Sequence, residues 1–181
     1  MVFDGYWKRE LKKQLKTILR WRLLGLFYDY SKHQLTRALL YSATIIRKVI
    51  EEEIEVNVIT KELKNPPELC TIDFSISATK YLFVGKNGTT IRGKMFPEDY
   101  GKGQQVELKA KDVCNWLLHS YVWGIAQHQT KEQHIGFMIA SDFDKEKFLH
   151  YISFDEWIRL INCVLENSIM RPKVEIYILN L

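Results

Sequence analysis

The side chains most capable of chemistry gather in one stretch: His119, His128 and His134, with Cys114 five positions ahead of the first. Neutral imidazole and thiolate are good zinc ligands, so the residue types suit a metal. The spacing does not, because zinc ligands usually come in close pairs, two to five residues apart. The expectation is therefore no metal and no cofactor. Asp142 and Asp144, on either side of Phe143, could offer oxygen ligands to magnesium. Ser, Asp and Lys between two strands are also what a turn asks for, and that reading is preferred. No glycine-rich phosphate loop, HExxH helix or GxSxG elbow occurs. Ser120 beside His119 is no hydrolase pair, since adjacent residues of a helix point in different directions. Cys114 reads as a small core hydrophobe with no activating neighbour.

A second group is defined by charge. Lys8, Arg9, Lys12, Lys13, Lys16, Arg20 and Arg22 stand against one acid, Glu10, with Trp7 and Trp21 among them. Such a helix could hold phosphates and stack bases. It could also meet an acidic protein partner, or serve only as a solvated face. The seven cations are the candidate partner-binding residues.

Composition limits the setting. The chain has 181 residues, 46% hydrophobic and 27% charged, with a formal net charge of +4, so it suits one domain able to bury its own core. Cys70, Cys114 and Cys163 are odd in number and far apart, which fits a reducing cytoplasm rather than a disulfide framework. The first residues are rich in Lys and Arg and lack an apolar segment with a small-residue cleavage site, so no secretory signal is expected. The longest apolar run, near Leu23 to Tyr28, falls short of the ~20 residues of a membrane span.

These residues need elements to position them. Trp7, Leu11, Leu15, Ile18 and Leu19 recur at helical steps and predict a first helix from about Tyr6 to Tyr28. Ser31 is expected to cap a second, from about Lys32 to Glu53, with Leu35, Ala38, Leu39, Ser42, Ile45, Ile46, Val49 and Ile50 inward. The short link between them favours an antiparallel hairpin, over about 6–53. In the strand-rich middle, about 56–104, Asn65–Pro66–Pro67 ends whatever precedes it. Thr71 to Ser77 alternates as a strand, and Tyr81–Val84 with Thr89–Met95 reads as a hairpin turned by Asn87–Gly88. Residues 97–105 read as a loop. The remainder, about 108–181, reads as a helix from Leu108 to Ser120, strands at Tyr121–Ala126, Ile135–Ala140 and Phe148–Ser153, a helix to about Ser168, and a closing strand from Val174 to Leu181. Ser153 and Glu156 have the spacing of a capping box ahead of the last helix. The expected fold is a single α+β domain: an N-terminal helical hairpin plus two further helices packed on a mainly antiparallel sheet.

Asn115–Trp116–Leu117–Leu118–His119–Ser120, on a helix with a helical hairpin upstream, resembles the HEPN proteins. Those are small helical domains of prokaryotic toxin–antitoxin and anti-phage systems, many of them metal-independent ribonucleases. Their motif is an Arg, four to six residues, then a His, often with a polar residue after the Arg. Asn115 and His119 match the polar residue and the His. Where the Arg belongs stand Cys114, Val113 and Asp112, and the nearest cations, Lys109 and Lys111, lie off the spacing. The resemblance implies a role for His119 in catalysis or RNA contact, while the missing Arg implies a relative that does not cleave.

The leading expectation is a non-enzymatic binding or accessory module of a microbial cytoplasm, acting through a protein partner or RNA/DNA, with the basic helix as its face. The alternative is a HEPN-like RNA-processing protein of a defence or toxin–antitoxin system, or a protein that neutralises a toxin or effector. Phe3, Trp7, Trp21, Phe27 and Tyr30 exceed what one core readily covers, which favours a complex or a homodimer.

Overall fold

The computed structural model describes residues 3–24, 28–61, 74–82, 100–119, 123–127, 133–141 and 148–167. Helix α1 spans Phe3–Trp21 and α2 spans Tyr28–Lys61. The two pack along each other as the expected hairpin. Leu11 and Ile18 are sealed beneath α1, with Trp7, Leu15 and Trp21 half-buried beside them. The helix ends seven residues earlier than the periodicity suggests, in a turn where the Arg22 amide donates to the Ile18 carbonyl. Tyr30 stays exposed, whereas both tryptophans lean on the core; the side chains of Phe3 and Phe27 lie outside the described residues.

The second helix starts earlier than expected and runs longer. Ser31 is therefore not its cap but a fully buried residue of its first turns, and its hydroxyl meets His134 Nε2 at 2.9 Å. A serine suited to capping has been used for a tertiary contact instead. Ala38, Ser42 and Ala43 are all buried, which lets neighbouring elements approach the α2 backbone closely.

Among the described residues five strands form one antiparallel sheet: β1 (Ser75–Leu82), β2 (Gln104–Lys109), β3 (Trp123–Gln127), β4 (His134–Ile139) and β5 (Phe148–Ser153). Their order across the sheet is β2-β1-β5-β4-β3. Strand β1 lies further along the chain than expected, and β2 occupies residues read as loop and helix start. A short 3-10 turn, Tyr100–Lys102, precedes β2. The third helix, α3, thus starts at Ala110 and runs to His119. Its first amide donates to the Phe74 carbonyl at 2.8 Å, tying it to the entry of β1. The hairpin expected at Tyr81–Met95 and the closing strand at Val174–Leu181 lie outside the described residues, apart from Tyr81 and Leu82 in β1.

Helix α4 (Phe154–Asn167) follows β5 without a break. The Ser153 hydroxyl accepts the Glu156 amide at 3.1 Å, so the serine half of the capping box forms. The Glu156 carboxylate reaches instead to the Ser77 amide and to Arg159. The helix thereby clamps β1, helped by Arg159 donating to the Ser75 carbonyl. Trp157 is wholly buried between α4, α2 and the sheet. Its ring meets Phe137 edge-on, and its indole N–H donates to Ser42 Oγ at 2.9 Å. Among the described residues the result is an α+β fold of four helices on one five-stranded sheet.

Candidate functional site

The inward face of α3 carries Ala110, Val113, Cys114 and Leu117, all buried. Trp116 stacks on His150 of β5 at 5.3 Å between centroids, fixing how the helix sits on the sheet. Lys111, Asn115 and His119 follow one another at four-residue steps and so share one stripe of α3. On α2, Arg47 and Glu51 are likewise one turn apart.

The two stripes meet. Arg47 Nε donates to Glu51 Oε1 at 3.0 Å, and Arg47 Nη1 lies 3.2 Å from His119 Nε2. Lys111 Nζ approaches the same Glu51 oxygen at 3.9 Å. The sequence from one end to the other is Lys111, Glu51, Arg47, His119. Arg47 has only donors, so His119 Nε2 must be the acceptor and the neutral ring carries its proton on Nδ1. The hydrogen bond from Arg47 holds the Glu51 carboxyl below its ordinary value of 4.5, with the Arg47 and Lys111 charges adding to the effect. An ionised Glu51 in turn fixes the guanidinium beside the imidazole. Asn115 sits one turn before His119, and its Oδ1 is buried with no hydrogen-bond partner among the described residues.

An arginine from α2, rather than any cation of α3, thus stands against His119. Sequence reasoning could not find Arg47, which lies 72 positions away and looks locally like half of a surface ion pair. Lys111 does not fill that place; it is engaged with Glu51, two turns before His119.

The two described histidines of the cluster, His119 and His134, meet different partners. His119 is exposed against Arg47, His134 is buried on β4 against Ser31, and His128 lies outside the described residues. Among the described residues no group of three His, Cys, Asp or Glu side chains is placed to hold a metal ion. Asp142, Asp144 and Cys70 also lie outside them. Cys114 and Cys163 are free thiols, and burial pushes the Cys114 thiol far above its ordinary value, which leaves it unreactive.

The seven cations of the first helix divide. Arg9, Lys12, Lys13, Lys16 and Arg20 are exposed on one stripe, opposite the buried Leu11 and Ile18. Lys13 pairs with Glu10 at 2.6 Å, Arg9 lies over the Tyr6 ring, and Arg20 lies over Trp21. Lys8 is half-buried at the margin of this stripe, and Arg22 turns away to pair with Asp155 at the start of α4. No described helix is long and apolar enough to cross a membrane. No protein-family model, curated protein or solved structure matches this chain.

Proposed function

We propose that the protein processes RNA, with His119 and Arg47 as the pair that acts on the phosphodiester. The observation that carries this reading is the 3.2 Å contact between Arg47 Nη1 and His119 Nε2, which sets a permanent cation against an imidazole at an exposed helix end. RNA brings its own nucleophile, the ribose 2′-hydroxyl. His119 accepts that proton, the 2′-oxygen bonds to the adjacent phosphorus, and the bond from phosphorus to the 5′-oxygen breaks. The 5′-oxygen leaves with a proton from solvent, giving a 2′,3′-cyclic phosphate and a 5′-hydroxyl end. Arg47 meets the charge that builds on the phosphoryl oxygens, where a fixed donor contributes most. Before substrate arrives, Nε2 is occupied by Arg47. A phosphate that draws the guanidinium onto its own oxygens frees Nε2 to act as the base. The resemblance of Asn115 and His119 to the HEPN motif supports the same reading, with the cation supplied by a different helix. The setting is then a microbial defence or toxin–antitoxin system in a reducing cytoplasm.

The test is a labelled RNA incubated with the protein and resolved on a denaturing gel. Cleavage by the wild type, lost in His119→Ala and Arg47→Ala while both variants melt as the wild type does, supports the assignment. RNA left intact by the wild type rules it out.

The five-cation stripe of α1 favours a second reading, a binding or accessory module that does no chemistry and works by covering a partner. Charge reversal at Lys12, Lys13 and Lys16 then weakens binding and leaves the fold intact. For a nucleic-acid partner, binding also falls steeply with added salt. Binding that survives the reversal excludes this face.

A further inference from the structure

The outer side of α2 carries residues that neither the core nor the Arg47–His119 pair uses. Tyr30, His33, Arg37, Tyr41, Thr44 and Lys48 recur at three- and four-residue steps and form one exposed stripe. It spans about 27 Å at ~1.5 Å per residue. Two of its members are aromatic and more than half open to solvent, Tyr30 at 58% and Tyr41 at 53%. Each ring is held in place from one side. The Arg37 guanidinium lies 5.6 Å from the Tyr41 centroid, and Trp21 meets Tyr30 edge-on at 5.1 Å. Between Asp29 and Glu51 the helix has no acidic residue at all. Thr44 of the stripe lies three positions before Arg47, one turn along the same flank, so the stripe passes beside the Arg47–His119 contact.

We propose that this stripe is a track for single-stranded RNA leading to the Arg47–His119 pair, a proposal that rests on the RNA-processing reading. The chemistry of the stripe selects the occupant. Open tyrosine faces pre-fixed by neighbours offer stacking to unpaired bases, and every base has a face to offer, so no sequence preference is needed. Arg37 and Lys48 supply positive charge for the phosphates between those bases, with no carboxylate on the stripe to repel them. A duplex cannot use the rings, because its bases are already stacked on one another. An acidic protein could use the cations but gains nothing specific from two separated rings.

The experiment measures anisotropy of a labelled unstructured oligoribonucleotide and of a matched hairpin duplex, at low and moderate salt, with full-length protein. Tyr41→Ala is expected to weaken single-strand binding on the order of tenfold, and Tyr41→Phe to restore it. Arg37→Glu with Lys48→Glu flattens the salt dependence. All these positions are exposed, so melting temperatures should hold. A duplex bound as tightly as the single strand, or single-strand affinity unchanged in Tyr30→Ala with Tyr41→Ala, overturns the track. A dinucleotide too short to span the stripe separates the two readings. If the wild type cleaves it while the stripe variants leave oligonucleotide affinity unchanged, the track falls and the Arg47–His119 assignment stands. If stripe variants lose affinity but no RNA is cut, the track stands and the chemistry falls.

Discussion

Arg47 and His119 lie 72 residues apart in the chain, yet Nη1 of one stands 3.2 Å from Nε2 of the other, because α2 and α3 pack side by side. The guanidinium is not free to wander, since its Nε is held by Glu51 at 3.0 Å. If the pair cleaves RNA as proposed, Arg47→Lys is expected to lose that cleavage nearly as fully as Arg47→Ala, by about two to three orders of magnitude in rate. A lysine keeps the charge but cannot hold Glu51 and the imidazole from one rigid fork. Single-turnover cleavage rates decide this, and a Lys variant with wild-type rate would show that charge alone is required.

Burial, with the Lys32 charge second, keeps the His134 imidazole below its ordinary value of 6.5. A group whose folded value is depressed lends stability above the unfolded value and loses it as pH falls. The protein is expected to lose stability as pH drops below about 6.5, by at most about 1.4 kcal/mol per pH unit from this group. Thermal melts of wild type and His134→Gln across that range check the prediction. The variant should be less stable near neutrality and flatter towards acid.

Ser42→Ala leaves the buried Trp157 indole N–H without its acceptor. The expected loss is about 1–3 kcal/mol, because an orphaned buried donor costs more than the bond itself contributes. Adding Trp157→Phe to Ser42→Ala should cost less than the sum of the two single changes, since it removes the orphan. A denaturant-based double-mutant cycle reads the coupling directly.

Gly136 stands opposite Ser153 in the β4–β5 ladder, and a Cβ there would lie 2.3 Å from the Ile152 carbonyl oxygen and 2.9 Å from the Ser153 Cα. Both obstacles are backbone and cannot swing aside. Gly136→Ala should therefore disrupt the pairing of these strands, seen as loss of soluble protein or of slow-exchanging amides in β4 and β5. Soluble Gly136→Ala protein with wild-type protection would contradict this close approach.

Much of this architecture is legible in the sequence where burial imposes a period. Leu11 and Ile18 announce α1, Leu35 through Val49 announce α2, and Trp157, Leu160, Ile161 and Val164 announce α4. Strand β5 spans Phe148–Ser153, the range expected from the sequence. Strand β2 is hard to read from sequence because, at the end of the described sheet, only Val106 and Leu108 turn towards the core, and the glycines ahead of it resemble a loop. Ser31 misled for a different reason, since the hydroxyl that caps a helix serves equally well against a buried imidazole. Of the candidate centre, His119 and Asn115 could be named by type and spacing. Arg47 could not, because nothing local distinguishes an arginine that faces a distant helix from one paired with a glutamate one turn on. The basic stripe of α1 was legible as a charge pattern, but the diversion of Arg22 to Asp155 depends on where α4 starts.

The sheet order has a consequence for how the chain reaches this structure. β5, the last described strand in sequence, sits in the middle, between β1 and β4. The connections joining β3, β4 and β5 are short, so these three strands can zip up locally, whereas the β1–β5 pairing joins Leu82 to Phe148 across the chain. That long-range closure, which unites β1–β2 with β3–β4–β5, is the step whose loop-closure entropy must be met before the sheet is whole.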